Sequence, residues 1–153
     1  MRVLSNVSLQ PLPQTNEDLL RRSRVLLDGS PQAPCITGVV LEAALRWREL
    51  YLLFVTDDIP QEDLLHITLW DRHFHPLDSA VIGAMYSTGR FQLLGLQGDD
   101  AVGFRFIGDT DWSVQVFPRP RFRLPLLSEP AGVSRPLGFS RHFIVRGKPK
   151  PQD

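Results

Sequence analysis

Cysteine is nearly missing from this sequence, lysine is scarce, and no long apolar run interrupts it. The one cysteine, Cys35, excludes an intrachain disulfide framework and points to a reducing compartment. It stands between Pro34 and Ile36 with no charged neighbour to activate a thiolate, so it reads as a small packed thiol. Two lysines against fifteen arginines are a bias compatible with a GC-rich bacterial genome. The longest apolar run, Leu50–Val55, is six residues, where a membrane-spanning helix needs about 20. Met1–Leu12 alternates polar and apolar residues and lacks the apolar centre of a secretion signal. The expectation is a soluble, cytoplasmic chain with no membrane partner.

Catalytic signatures are missing as well. There is no phosphate-binding loop, dinucleotide fingerprint, His-Glu-x-x-His helix or Gly-x-Ser-x-Gly elbow. No cofactor is expected, no catalytic residue is assigned, and no family resemblance carries a function over.

Net charge is zero overall, with 17 basic and 17 acidic residues, but it is unevenly placed. Residues 118–153 hold eight basic and two acidic residues, a net +6, so the first 117 carry −6. Seven of the 13 prolines lie in the same last segment. At 153 residues and 42% hydrophobic, the chain reads as one domain able to bury roughly 68–70% of its unfolded surface. Its parts are an N-terminal strand and helix (1–35), a β core (36–117) and a basic Pro/Arg-rich arm (118–153).

Val3–Leu9 alternates as a short strand, ended by Pro11 and Pro13. Thr15 or Asn16 has the chemistry of a helix N-cap, with Glu17 and Asp18 in the first turn. Leu19, Leu20, Leu26 and Leu27 then share a helical face, and Asp28-Gly29-Ser30-Pro31 supplies a stop. Residues 36–53 fit both periodicities, and the strands that follow favour strands there too. Leu50–Thr56, Leu64–Trp70, Leu77–Ile82, Phe91–Leu96, Ala101–Ile107 and Trp112–Phe117 read as strands, several joined by Gly/Asp turns. The fold expectation is mostly β: an antiparallel β-sandwich or barrel-like meander with one N-terminal helix.

Four constellations invite chemistry. His73 and His75, with Asp71 and Asp78, have ligand types suited to zinc, but a His-x-His pair also fits a polar turn flanked by aspartates. His66 falls on a sheet face away from that loop, and His142 is distant in sequence. Asp57-Asp58, Asp99-Asp100, Asp109 and Asp111 lie where turns favour aspartate. Ser87 sits in a turn with nothing to activate it. Finally, Arg119, Arg121 and Arg123 alternate with Pro120, Phe122 and Leu124. An extended chain would line the arginines on one side about 7 Å apart. Phe122 and Leu124 would then dock on the body while the arginines reach acidic turns or an acidic partner.

The functional expectation is a small binding protein whose partner is another protein or a second copy. One form is a bacterial accessory or toxin-neutralising protein that uses its acidic body as contact surface. Nucleic acid is not expected, because the chain is neutral and shows no aromatic binding face. The alternative is a metal-dependent enzyme built on Asp71, His73, His75 and Asp78.

Overall fold

The computed structural model describes residues 1–14, 20–59, 62–83, 89–108, 110–124 and 129–147. Its strands are, in chain order, β1 (Arg2–Val3), β2 (Val7–Pro11), β3 (Arg22–Leu27), β4 (Ser30–Thr37), β5 (Val40–Trp47), β6 (Leu50–Thr56), β7 (Leu65–Trp70), β8 (Pro76–Ile82), β9 (Gln92–Gln97), β10 (Ala101–Arg105), β11 (Trp112–Phe122), β12 (Val133–Ser134) and β13 (Ser140–Arg146). They form three antiparallel sheets: six strands in the order β1-β5-β6-β7-β8-β12, four in the order β13-β11-β10-β9, and three in the order β2-β3-β4. Among the described residues no helix is long and apolar enough to cross a membrane.

The six-stranded sheet is the middle layer, and its composition follows from having both faces covered. One face contributes Leu45, Leu52, Phe54, Leu65, Ile67, Leu69 and Ile82 to a core shared with Val102, Phe104, Trp112, Val114, Val116, Phe143 and Val145 of the four-stranded sheet. The other face sets Ala44, Tyr51, Leu53, Val55 and Trp70 against Val7, Val25 and Ile36 of the three-stranded sheet. β6 lies between both cores and is buried at every position after Leu50. That is why Leu50–Val55 is a continuous apolar run rather than an alternation. Each of its large side chains contributes about 1.5–3 kcal/mol by leaving water.

The N-terminal helix is not formed. Arg22–Leu27 is β3, paired with β2 on one side and β4 on the other. Its buried residues are Ser23 and Val25, two apart, which is strand periodicity. The leucine spacing that suggested a helix is overridden by this pairing, and the Asp-Gly stop is a hairpin turn. Asp28 and Gly29 have φ of 51° and 79°, the left-handed pair that a tight two-residue connection between twisted strands requires. The expected N-cap and first turn, residues 15–19, lie outside the described residues.

Residues 36–53 resolve into strands. β5 and β6 form a hairpin around Arg48, whose φ is 56°. Arg48 and Glu49 have no ordinary turn chemistry, and the guanidinium of Arg48 lies 4.5 Å over the Trp47 ring. A bulge between Leu41 and Ala43 shifts the phase of β5. Leu41 therefore packs on one core while Ala43, Leu45 and Trp47 face the other. Between β4 and β5, Gly38 has φ of 109°. A Cβ there would run into the Val55 side chain and stand 3.0 Å from the Thr56 carbonyl oxygen. Gly38→Ala is expected to lower stability by roughly 1–3 kcal/mol, read from the urea midpoint.

The segment after Phe117 closes the structure. β11 runs on through Pro118 and Pro120 to Phe122, and its ladder with β13 is interrupted between Val116 and Arg121. Two prolines without amide hydrogens fall in that interruption. β12 then joins the edge of the six-stranded sheet beside β8, while β13 joins the four-stranded sheet. The basic arm thus ties the two large sheets together.

Candidate functional site

The tie is made by a buried charge cluster. Asp78, at the start of β8, accepts from the Arg135 guanidinium at 2.6 Å, the His142 amide at 2.8 Å and the Ser79 amide at 2.8 Å. The Arg135 side chain is 2% exposed and that of Asp78 is 4%. Arg135 also donates to the carbonyl oxygens of Ser79 and Phe143, lies 4.2 Å over the Phe143 ring and stands 3.5 Å from Glu129. Burial pulls the Arg135 guanidinium below its ordinary range, against the opposing charges of Asp78 and Glu129. Arg141 donates to the Pro136 carbonyl oxygen at 2.7 Å, which shapes the loop that follows β12. The His142 amide is free to reach Asp78 because the β11–β13 ladder is interrupted opposite it.

That loop forms one wall of an open groove of about 830 Å³. The floor is made by the middle sheet: His66, Thr68 and Trp70 of β7 with Ser79 and Val81 of β8. The far wall is β4, from Pro34 to Thr37, with Arg22 beside it. Arg22 donates to the Cys35 carbonyl oxygen at 2.9 Å, which holds its guanidinium at the rim.

His66 is the buried polar group of the floor. Its Nε2 meets both carboxylate oxygens of Asp57 at 2.9 and 3.0 Å, and the side chains are 10% and 2% exposed. The β6–β7 register sets this pair: Val55 lies opposite His66, so Asp57, two residues on, falls on the same face. With Nε2–H donated to the carboxylate, Nδ1 is the ring's remaining hydrogen-bonding atom. The Asp57 amide in turn donates to Asp63 at 2.9 Å. Burial pushes the Asp63 carboxyl up and the Asp57 charge adds to the rise, against the Asp57 amide.

Where the loop wall meets solvent, large apolar side chains stand outside the core. Phe122 is 71% exposed, Leu124 52%, Leu137 83% and Phe139 59%. Phe122 and Phe139 stack in parallel at 5.8 Å, and the Arg123 amide donates to the Phe139 carbonyl oxygen. The expectation that Phe122 and Leu124 dock on the body is therefore corrected: Phe122 packs on Phe139, and both Phe122 and Leu124 are more than half exposed. Arg121 lies 4.0 Å over the Phe117 ring. None of Arg119, Arg121 and Arg123 makes an ion pair among the described residues.

The histidine loop has a structural task. Phe74, at φ of 58°, plugs into the core 4.6 Å from Tyr51 and 6.0 Å from Trp70. Asp71 closes the turn, its Oδ1 accepting the amides of His73 and His75 and its Oδ2 meeting the His75 ring. His73 and His75 are directed outward with ring centroids 6.2 Å apart. Asp78 is committed to Arg135, so the four residues expected as metal ligands are not brought together. Among the described residues no three His, Cys, Asp or Glu side chains are grouped to hold a metal ion. Ser87 and Asp109 lie outside the described residues. The His75 amide holds the Asp71 carboxyl below its ordinary value; partial burial opposes this, and the His73 amide and His75 ring reinforce it. A depressed folded-state value contributes stability that is present above the ordinary carboxylate range and lost as pH falls through the folded value. The melting-temperature gap between the protein and Asp71→Asn is therefore expected to be largest at neutral pH and to close on acidification below the ordinary carboxylate range.

Sequence reasoning did not find the Asp57–His66 pair, the Asp78–Arg135 cluster or the groove. The available signal was a polar residue in an apolar strand, His66 within Leu64–Trp70. Comparison of the chain with protein families, with curated proteins and with solved structures gives no match.

Proposed function

We propose that this is a binding protein that recognises another protein through the surface formed by the end of β11, the 137–139 loop and the adjoining groove. The observation that supports it is the company of Phe122, Leu124, Leu137 and Phe139, each more than half exposed, with three arginines that have no ion-pair partner among the described residues. Scattered exposed apolar residues are ordinary, but a stacked, solvent-facing aromatic pair rimmed by arginine has the composition of an interface centre. Arginine and aromatic side chains are also where binding energy concentrates.

The test is site-specific photo-crosslinking in native lysate, with the crosslinker at position 139 and, as a control, at Ser8 on the three-stranded sheet. One discrete protein adduct at 139, missing from position 8, is expected. The captured protein, once purified, should bind the double variant Phe122→Ser/Phe139→Ser at least about tenfold more weakly. Equal binding by the variant, or the same adducts from both positions, would reject this surface.

A further inference from the structure

Resting on that reading, we infer that the groove receives an extended, carboxylate-bearing segment of the partner protein. The groove opens beside Leu137 and Phe139, which line its wall, so a chain lying on the exposed aromatic pair passes directly into it. Its volume, about 830 Å³, is in the range of built ligand sites. Trp70, Ile36, Leu77 and Val81 provide apolar contact.

The polar groups select the charge of what enters. The one carboxylate among the described lining residues, Asp78, is committed to Arg135 and the His142 amide, and Asp57, which does not line the groove, is committed to His66. The cations are less so. Arg22 has one guanidinium nitrogen on the Cys35 carbonyl oxygen and makes no ion pair among the described residues; at the other wall, Arg141 and Phe139 are joined across the β11–β13 pairing to Arg121 and Arg123. A basic segment would thus meet arginines at both walls and, among the described lining residues, no carboxylate other than the committed Asp78, whereas an acidic one is complemented at both. His66 adds a fixed point between them. Its ring is nine-tenths buried and oriented by Asp57, and Nδ1 has no partner among the described residues. A polar group of the entering segment would satisfy it, and a purely apolar segment would leave it unpaired.

The experiment is an NMR titration of the 15N-labelled full chain with two capped hexapeptides, one alternating glutamate and leucine, the other lysine and leucine. Saturable shifts at the amides of Thr68, Ser79 and Val81 are expected with the acidic peptide, and at least about tenfold weaker binding with the basic one. Val81→Trp, which fills the floor beside its cross-strand partner His66, should abolish the shifts, and Arg22→Glu should weaken them. If Val81→Trp does not fold, Ser140→Trp at the loop wall serves the same purpose. Equal response to both peptides, or no saturable shift at groove amides, overturns the inference. A response to oligothymidylate centred on Phe122 and Phe139 in place of the acidic peptide would overturn it in favour of single-stranded nucleic acid. The two readings separate cleanly. If the partner crosslinked at position 139 binds Val81→Trp unchanged, the groove assignment falls and the binding surface stands. If Phe122→Ser/Phe139→Ser also leaves it unchanged, the surface itself falls.

Discussion

Asp78→Ala is expected to destabilise the protein by about 3–5 kcal/mol, because it strands a buried cation. Arg135 would keep its two carbonyl acceptors but lose its close carboxylate partner, leaving Glu129 at 3.5 Å as the nearest negative charge. The His142 amide would lose its acceptor in the same step. The effect should centre on β12 and β13, so their amides should exchange faster before the rest of the structure responds. Replacing both partners with apolar residues, Asp78→Leu with Arg135→Met, is expected to cost less than the single change, since the Arg135 charge goes with its partner, while Arg141, 4.0 Å from Asp78, keeps the Pro136 carbonyl oxygen as acceptor. Urea midpoints of the two singles and the double give the coupling. A single-variant loss below about 1 kcal/mol would mean that apolar packing alone holds the arm.

Phe104→Ala should be comparably damaging, about 3–5 kcal/mol. Phe104 is fully buried, with its ring 5.1 Å from Phe54 of the opposing sheet and 5.7 Å from Phe91. Truncation removes its own contacts and leaves a void between two sheets whose backbones are held by their ladders, so collapse around it is limited. Phe122→Ala offers the contrast. Its ring is 71% exposed, and a change within about 0.5 kcal/mol is expected there. Equal losses at the two positions would mean that Phe122 is covered in solution.

These two phenylalanines also show how far the sequence could be read. Phe104 sits in an alternating stretch between two turns, and inward-facing neighbours on both paired strands make its burial legible from periodicity. Phe122 alternates as regularly, but periodicity says which residues share a side and not whether anything covers that side. Covering depends on the path of residues 137–139, which no local signal encodes. Turn residues were equally double-valued. Asp28-Gly29 ends a helix as readily as it turns a hairpin, and only the partners on either side of β3 decide. The site was least legible where it depends on register. Asp57 meets His66 because Val55 pairs with His66, and Asp78 meets Arg135 and His142 at sequence separations of 57 and 64. The charge asymmetry did mark the arm as distinct, although its central arginine works inside the protein.

The order in which the strands are made gives the tie between the sheets a further meaning. β11 ends at Phe122, but its partner β13 and the outermost strand of the middle sheet, β12, come last in the described chain. A polypeptide emerging N-terminus first can form the β5–β8 ladders early, since each pairs with its neighbour. The edge of β11 that pairs with β13, and the buried carboxylate of Asp78, wait for residues 133–146. Nascent chains would therefore pass through an interval with an unpaired strand edge and an uncompensated acid, the kind of species that aggregates or engages chaperones. Completion of β13 removes both hazards at once, which makes the docking of β12 and β13 the committing step in folding.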